Sequence, residues 1–367
     1  MLLETFGRPA AAPLVRKALL TAGALVDVTV VRAAQVLAKQ RSRRAPALDE
    51  RRAYLDGIAA RYGAVDPSEF YRSPPPIAAL GERHVRGLAG GGDVVDWTWQ
   101  SHHHPYFDDQ RAAFERWPEI GTVHVRRFRQ PRRGAPHLVA VHGYRAGAYA
   151  FEERAWQAEW LHSLGLDVSL YTLPFHALRA PAGRKGAPLF PTADVARTNE
   201  TFGKIVWELR MLIDRLRADG AGPVGIAGMS LGGYTTAVMA TQPLRPGEPP
   251  LAFAIPFVPL ADMTDVVVDH EALRGVAVPR TLADAGRRAM ALHRPLGRAP
   301  MISGDRVLVI AADADRITEP THAQKLADHF GAALVRFPGA HLLQFGRRVG
   351  FSAMAKHLAR LGLVDAR

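Results

Sequence analysis

Ser230 stands between two glycines in the run Gly228, Met229, Ser230, Leu231, Gly232, with an apolar stretch, 224–227, ahead of it and a helix-forming stretch, 235–241, behind it. A serine hydroxyl is a weak nucleophile at neutral pH and attacks a carbonyl only when a neighbouring base takes its proton. A buried strand that turns sharply into a helix would hold such a hydroxyl at the tip of the turn, in a strained backbone conformation. The residues two positions away on each side then come close together, and Gly228 and Gly232 supply the small side chains this requires. Glycines and serines are common, so the string gains weight only if the rest of the chain supplies a base, an orienting carboxylate and donors for a developing oxyanion.

The elements around it have the required alternation. The apolar runs 138–141, 224–227, 251–258 and 307–310 read as strands, the first of them buried on both faces, and 168–173 and 333–337 read as two more. Between or after them, helical spacing is found at 150–164, 202–216, 321–330 and 351–361. Val95, Trp97 and Trp99 alternate, as do Val123 and Val125, giving two half-buried strands. Strands alternating with helices imply a mostly parallel, doubly wound α/β sheet covered on both faces. Residues 14–38 and 48–62 read as helices of an N-terminal section that ends in an extended loop at Ser73, Pro74, Pro75 and Pro76. The segment 259–303 has helical patches and no strand signal, and is expected to be a cap insertion over the active site.

Composition bounds the rest. The 367 residues suffice for one large or two ordinary domains, and 48% hydrophobic with 22% charged residues is the balance of a soluble globular chain. The net charge of +12 comes from arginines scattered along the chain without interleaved aromatics, so no nucleic-acid partner is expected. Absence of cysteine excludes disulfides, thiolate metal sites and a cysteine nucleophile. Glu4 interrupts the start and no basic region precedes an apolar core, so a secretory signal is not expected and a cytoplasmic location is.

Asp27 and Arg32 break the apolar face of 14–38, which argues against a membrane-spanning helix. Flanked by Arg16, Lys17, Lys39, Arg41, Arg43 and Arg44, this helix is expected to pack on the catalytic domain, with peripheral contact to an anionic membrane as the alternative. His102, His103 and His104 are adjacent, point in different directions and have no carboxylate or cysteine framework, so no metal is expected there.

In doubly wound hydrolases the chain order is serine, acid, histidine, with the last two on loops after later strands. Here 307–310 is followed by Ala311, Ala312, Asp313, Ala314, Asp315, Arg316 and Ile317, and 333–337 by Pro338, Gly339, Ala340 and His341. On these motifs the chain resembles the α/β-hydrolase superfamily over roughly residues 94–362. The expected organisation is therefore a helical N-terminal extension, 1–93, and, as the resemblance implies, an α/β-hydrolase catalytic domain, 94–367, holding the cap insertion at about 259–303. It makes Ser230 the nucleophile, His341 the general base and Asp315 the orienting carboxylate. Asp313 is a competitor for the acid, and Asp262 and Asp265 are remoter ones.

The backbone N–H groups of Leu231 and of Tyr144, which follows His142 and Gly143, are the expected oxyanion donors. His176 and Arg179, in the loop after 168–173, are offered as substrate contacts at the carboxyl edge of the sheet. The segment 173–179, with Gly222 and Pro223, is similar to the abhydrolase-domain proteins of the eighteenth subgroup. The expected activity is hydrolysis of a small-molecule carboxylic ester, lipid or other, through an acyl-enzyme and without cofactor. Acyl transfer and amide or thioester cleavage would use the same triad, and a non-catalytic binding protein on the hydrolase fold is the reading from another class.

Overall fold

A computed structural model of the chain describes residues 13–41, 47–184, 186–273 and 275–365, and in the first helix the side chains of residues 17–32. Glu4, Arg16, Lys39, Arg41, Arg43 and Arg44, on which expectations above rest, lie outside the described side chains.

Among the described residues nine strands make one sheet: β1 (Gly81–Gly87), β2 (Asp93–Gln100), β3 (Thr122–Arg129), β4 (His137–Val141), β5 (Asp167–Tyr171), β6 (Val224–Met229), β7 (Ala254–Phe257), β8 (Leu308–Ala312) and β9 (Ala333–Phe337). Their spatial order is β1-β2-β3-β5-β4-β6-β7-β8-β9. The strands from β5 to β9 run parallel, and β1 to β3 form an antiparallel ribbon joined antiparallel to β5. β4, β6, β7 and β8 are almost wholly buried because helices cover both faces of the sheet, which is why they read as continuous apolar runs. The strand order reverses at β4, whose neighbours are β5 and β6, and open α/β sheets form their ligand crevice at such a reversal.

The helices are α1 (Pro13–Arg41), α2 (Leu48–Gly63), α3 (Pro67–Phe70), α4 (Asp108–Phe114), α5 (Tyr149–Ala155), α6 (Ala158–Ser163), α7 (Val195–Ala218), α8 (Leu231–Ala240), α9 (Met263–Ala272), α10 (Arg280–Ala289), α11 (Pro320–Phe330) and α12 (Arg347–Arg360). The single helix expected at 150–164 is broken into α5 and α6 by Gln157, which adopts a left-handed conformation. α7 is buried along nearly its whole length and carries its charges inward. Glu208 takes two hydrogen bonds from Arg179, at 2.7 and 2.8 Å, lies 3.1 Å from the Lys204 ammonium and accepts the Tyr171 hydroxyl. Those partners hold the Glu208 carboxyl down at about 2 although burial opposes it.

Two differences from the sequence reading concern the start of the catalytic region. β1 lies ahead of residue 94, inside the section expected to be helical. It is an exposed edge strand whose charged residues Glu82, Arg83, His84 and Arg86 give no apolar alternation to read. The helices before it also share the main core rather than standing apart from it: Tyr62, Phe70 and Tyr71 are buried with α7, and Glu200 accepts the Tyr62 hydroxyl at 3.0 Å.

α1 touches the body through a narrow stripe, Gly23, Asp27 and Val31, one residue per turn on one face. Leu19, Leu25, Val26 and Val30 are exposed, Leu25 by 66%. Among the described residues no helix is long and apolar enough to cross a membrane.

Candidate active site

Ser230 follows the last residue of β6 and caps α8, with φ 56° and ψ −113°, a conformation an L-residue holds only under external constraint. The constraint is steric. A Cβ on Gly228 would lie 1.9 Å from the Gly232 carbonyl oxygen, and a Cβ on Gly232 would lie 2.0 Å from that of Val141. The two elbow glycines therefore let β6 and α8 close on each other and on β4, with the serine at the tip.

His341 stands on the loop after β9, and its Nε2 is 2.9 Å from Ser230 Oγ. Its Nδ1 is 2.7 Å from Oδ2 of Asp315, on the loop after β8. The parallel register brings the three loops to one edge, since Met229 pairs with Phe257 and Ala312 with Phe337. Asp315 is buried: Oδ1 accepts the N–H groups of Ile317 and Thr318 at 2.9 and 2.8 Å, and Oδ2 accepts the Thr318 hydroxyl at 3.0 Å as well as His341. A carboxylate so held keeps the proton of a neutral imidazole on Nδ1 and leaves the Nε2 lone pair facing the serine hydroxyl. Burial by itself would push the imidazole pKa of His341 down. The charge and hydrogen bond of Asp315, with a smaller contribution from the charge of Asp27, outweigh it and hold the pKa above the ordinary value.

The competing carboxylates are engaged elsewhere. Asp313 pairs with Arg336 at the surface, at 2.9 Å. Asp262 caps α9 through the Thr264 N–H, at 2.8 Å, and pairs with Arg294. Asp265 pairs with Arg287 and Lys325.

Leu231 is the first residue of α8, and a first-turn N–H has no partner within its own helix. Tyr144 lies in the loop after β4 and lines the cleft with Ser230. That loop is fixed by His142, whose Nδ1–H donates to the Gly143 carbonyl at 2.7 Å while Nε2 accepts the Leu173 N–H at 3.0 Å. Burial pushes the His142 imidazole down to about 3, so it stays neutral in this role. Glu152 ties down the far end of the loop by accepting the Gly147 N–H at 2.8 Å, and burial pushes its carboxyl up to about 7.

His176 lines the cleft and donates Nδ1–H to the Pro174 carbonyl at 2.9 Å, so its Nε2 is left as an acceptor. Arg179, offered above as a substrate contact, does not reach the cleft. Its guanidinium is wholly buried behind β5 and is consumed by Glu208, Tyr171 and the carbonyls of Thr172 and Ile120, so its role is structural. His103 also packs inside, edge-on to Trp207 at 5.6 Å, and among the described residues no group of three or more potential metal ligands comes together.

The cleft above Ser230 has a volume of about 1010 Å³. Its walls come from the loop after β4, α5, residues within 175–184 and 186–188, the loop 341–347 and Val30 of α1, and Tyr144, Phe151 and Phe345 are exposed at its mouth. Among the described residues lining it, none belongs to 259–303. The segment expected to cap the site packs instead on the N-terminal helices and α7: Tyr71 donates its hydroxyl to the Leu292 carbonyl at 2.8 Å, Arg288 pairs with Asp56, and Asn199 donates to the Ala289 carbonyl at 2.9 Å. Two residues passed over as site members belong beside the triad. The Thr318 hydroxyl has one proton to share between Asp315 Oδ2 and the carbonyl of Val258, just after β7, each at 3.0 Å, and Asp27 reaches the histidine loop from α1. A lone acid within an apolar helix was the one signal for Asp27.

Sheet order, elbow and the loops after β8 and β9 together give the chain the α/β-hydrolase fold. Within it, residues 115–271 match the family model described as alpha/beta hydrolase domain containing 18. No curated relative matches the chain. Among solved structures it is similar to an acetyl xylan esterase from Paenibacillus sp. R4, with 11% identity over 87% of this chain and 95% of that one and a TM-score of 0.54. It is likewise similar to acetyl xylan esterase 1 from Thermoanaerobacterium sp. JW/SL YS485, with 16% identity over 87% of this chain and 99% of that one, also at 0.54. At such identities the likeness is one of fold.

Proposed function

We propose that the chain is a serine hydrolase that cleaves a carboxylic ester of a small-molecule acyl substrate through an acyl-enzyme. The observation that carries the reading is the continuous hydrogen-bond chain from Ser230 Oγ to His341 to Asp315 on the floor of a large, mostly apolar cleft. In this reading Ser230 Oγ attacks the ester carbonyl carbon as its proton passes to His341 Nε2. The oxyanion that forms is met by the N–H groups of Leu231 and Tyr144, and Asp315 stabilises the imidazolium. Collapse of the tetrahedral adduct breaks the bond to the leaving alkoxide, which takes the proton from Nε2. Water, deprotonated by the same nitrogen, then attacks the acyl-enzyme and releases the acid and Ser230. The mechanism draws on no cofactor. That both similar structures are named as esterases favours an ester over an amide or thioester, at the level of fold analogy.

A fluorophosphonate probe tests the reading directly. It is expected to label the native chain at Ser230 and to leave Ser230→Ala unlabelled. Since the cleft opens to solvent at Tyr144, Phe151 and Phe345, an unlabelled native chain would overturn the enzymatic assignment in favour of a binding protein on the same fold. A series of p-nitrophenyl esters from acetate to palmitate would then size the acyl pocket, and added alcohols or amines would reveal acyl transfer.

The exposed apolar residues Leu19, Leu25, Val26 and Val30 on α1, with Leu342 and Phe345 at the mouth, favour a second element of the proposal, peripheral contact with an anionic membrane. A cytoplasmic location belongs to the same reading and is supported by sequence alone.

A further inference from the structure

Asp27 is an aspartate in the middle of an apolar helix, and it is completely buried. A carboxylate taken out of water is costly unless hydrogen bonds replace its hydration. Here the replacements all come from the two loops that carry the acid and the base. Oδ2 accepts the backbone N–H of His341 at 2.8 Å and that of Arg316 at 3.2 Å, and Oδ1 accepts the N–H of Leu342 at 3.1 Å. One side chain thus spans the loop after β8 and the loop after β9, and its closest contact is with the backbone of the histidine that faces Ser230.

The seat of the helix is set one turn earlier. A Cβ on Gly23 would lie 2.8 Å from the Cβ of Ala340, the residue before His341. Gly23 therefore lets α1 rest directly on the histidine loop, at the depth from which a carboxylate at position 27 reaches the three amides.

We propose that Asp27 is a positioning residue for His341, so that α1 is a working part of the active site; the proposal rests on the serine-hydrolase reading of Ser230, His341 and Asp315. Two effects act together. The hydrogen bonds fix the backbone from which the imidazole projects, and the negative charge favours the imidazolium that forms when Ser230 gives up its proton. The charged and titratable groups acting on the imidazole are Asp315 from the loop after β8, Asp27 from α1 and His270 from α9. His270 donates to the Ile317 carbonyl at 2.8 Å, and burial pushes its own pKa below the ordinary value.

The test uses the full-length chain and Asp27→Asn, which keeps the shape but removes the charge and one of the two acceptor oxygens. Turnover of p-nitrophenyl acetate is expected to fall on the order of 10- to 100-fold in kcat, with KM within about twofold, because a small displacement of the base affects chemistry and spares binding. In the same variant the titration of the His341 imidazole, followed by nuclear magnetic resonance on isotope-labelled histidine, moves to lower pH. A loss of packing alone would leave that titration unmoved. Gly23→Val, which keeps the carboxylate but lifts α1 off Ala340, is expected to reproduce both effects and decides the matter if Asp27→Asn is unstable. A folded variant of either kind with kcat within twofold of native and an unmoved His341 titration overturns the proposal. If the native chain turns over no ester, the hydrolase reading fails, and the titration still decides whether Asp27 positions His341.

Discussion

Asp315→Asn separates the orienting carboxylate from every other acid near the site, and its effect can be worked from the contacts. Oδ1 of Asp315 accepts two backbone N–H groups, from Ile317 and Thr318. In the asparagine variant those two donors select the carbonyl oxygen, and the amide nitrogen must take the position of Oδ2, facing His341 Nδ1. An N–H donated to Nδ1 stabilises the imidazole tautomer with its proton on Nε2. The atom 2.9 Å from Ser230 Oγ is then a donor and cannot receive the serine proton. Loss of the base in this way is expected to lower kcat by roughly 10³- to 10⁴-fold, a rise of about 4–5.5 kcal/mol in the barrier, while the apolar cleft keeps KM near native.

The assay is ester turnover across pH. In the native chain kcat/KM is expected to rise with pH along one acid limb centred above the ordinary imidazole value of ~6.5, because the neutral base is required and the pKa of His341 lies above that value. In Asp315→Asn the limb moves to lower pH as the carboxylate charge is lost. Asp313→Asn is the control: it breaks a surface pair with Arg336 worth about 0–1 kcal/mol and leaves the rate unchanged. A loss of less than tenfold in Asp315→Asn, or a larger loss in Asp313→Asn, would refute the assignment.

Two further outcomes test the scaffold and the surface. Glu208→Gln leaves Arg179 and Lys204 buried without their countercharge and is expected to cost about 3–5 kcal/mol in urea unfolding followed by tryptophan fluorescence; a cost below about 1 kcal/mol would show that the buried network is not what holds α7 to β5. Because the Glu208 carboxyl is depressed to about 2 in the fold, its contribution is complete above the unfolded value of ~4.3 and is lost as pH falls from there toward 2. Full-length protein is expected to float with anionic vesicles, and Leu19→Glu with Leu25→Glu to stay in solution with the fold intact, since both side chains are exposed. Native protein that fails to float removes the membrane element of the proposal.

The residues that the sequence marked most strongly are those fixed by local rules. Gly228 and Gly232 are required by a close approach that any such turn makes, Asp315 follows a strand whose unbroken apolar run announces burial on both faces, and His341 follows the short last strand Ala333–Phe337. Their meeting depends on strand register, which follows once those strands pair in parallel. What stayed hidden depends on partners remote in sequence. Arg179 looked available because nothing local shows that Glu208 waits on a helix beneath it. The segment 259–303 looked like a cap because its length could be read and its partners, Tyr71, Asp56 and Asn199, could not. β1 escaped because an edge strand that keeps its charges outward carries no hydrophobic period. Asp27 was visible as an interruption of an apolar helix, and only the fold supplies the amides that explain it.

The hydrogen bond from the His341 N–H to Asp27 joins residues 314 apart in the chain. The site is therefore among the most non-local objects in the molecule, and contacts of that kind form late because the whole intervening chain must first be ordered. During synthesis, β4 to β7 can pair and the elbow can close around Ser230 while residue 341 has yet to be made. Such a nascent chain would display a buried sheet and a serine with no base beside it. Reactivity toward acyl groups would then switch on only after the histidine loop had come back to a helix made near the beginning, and on refolding from denaturant the return of turnover should lag behind the return of helical signal.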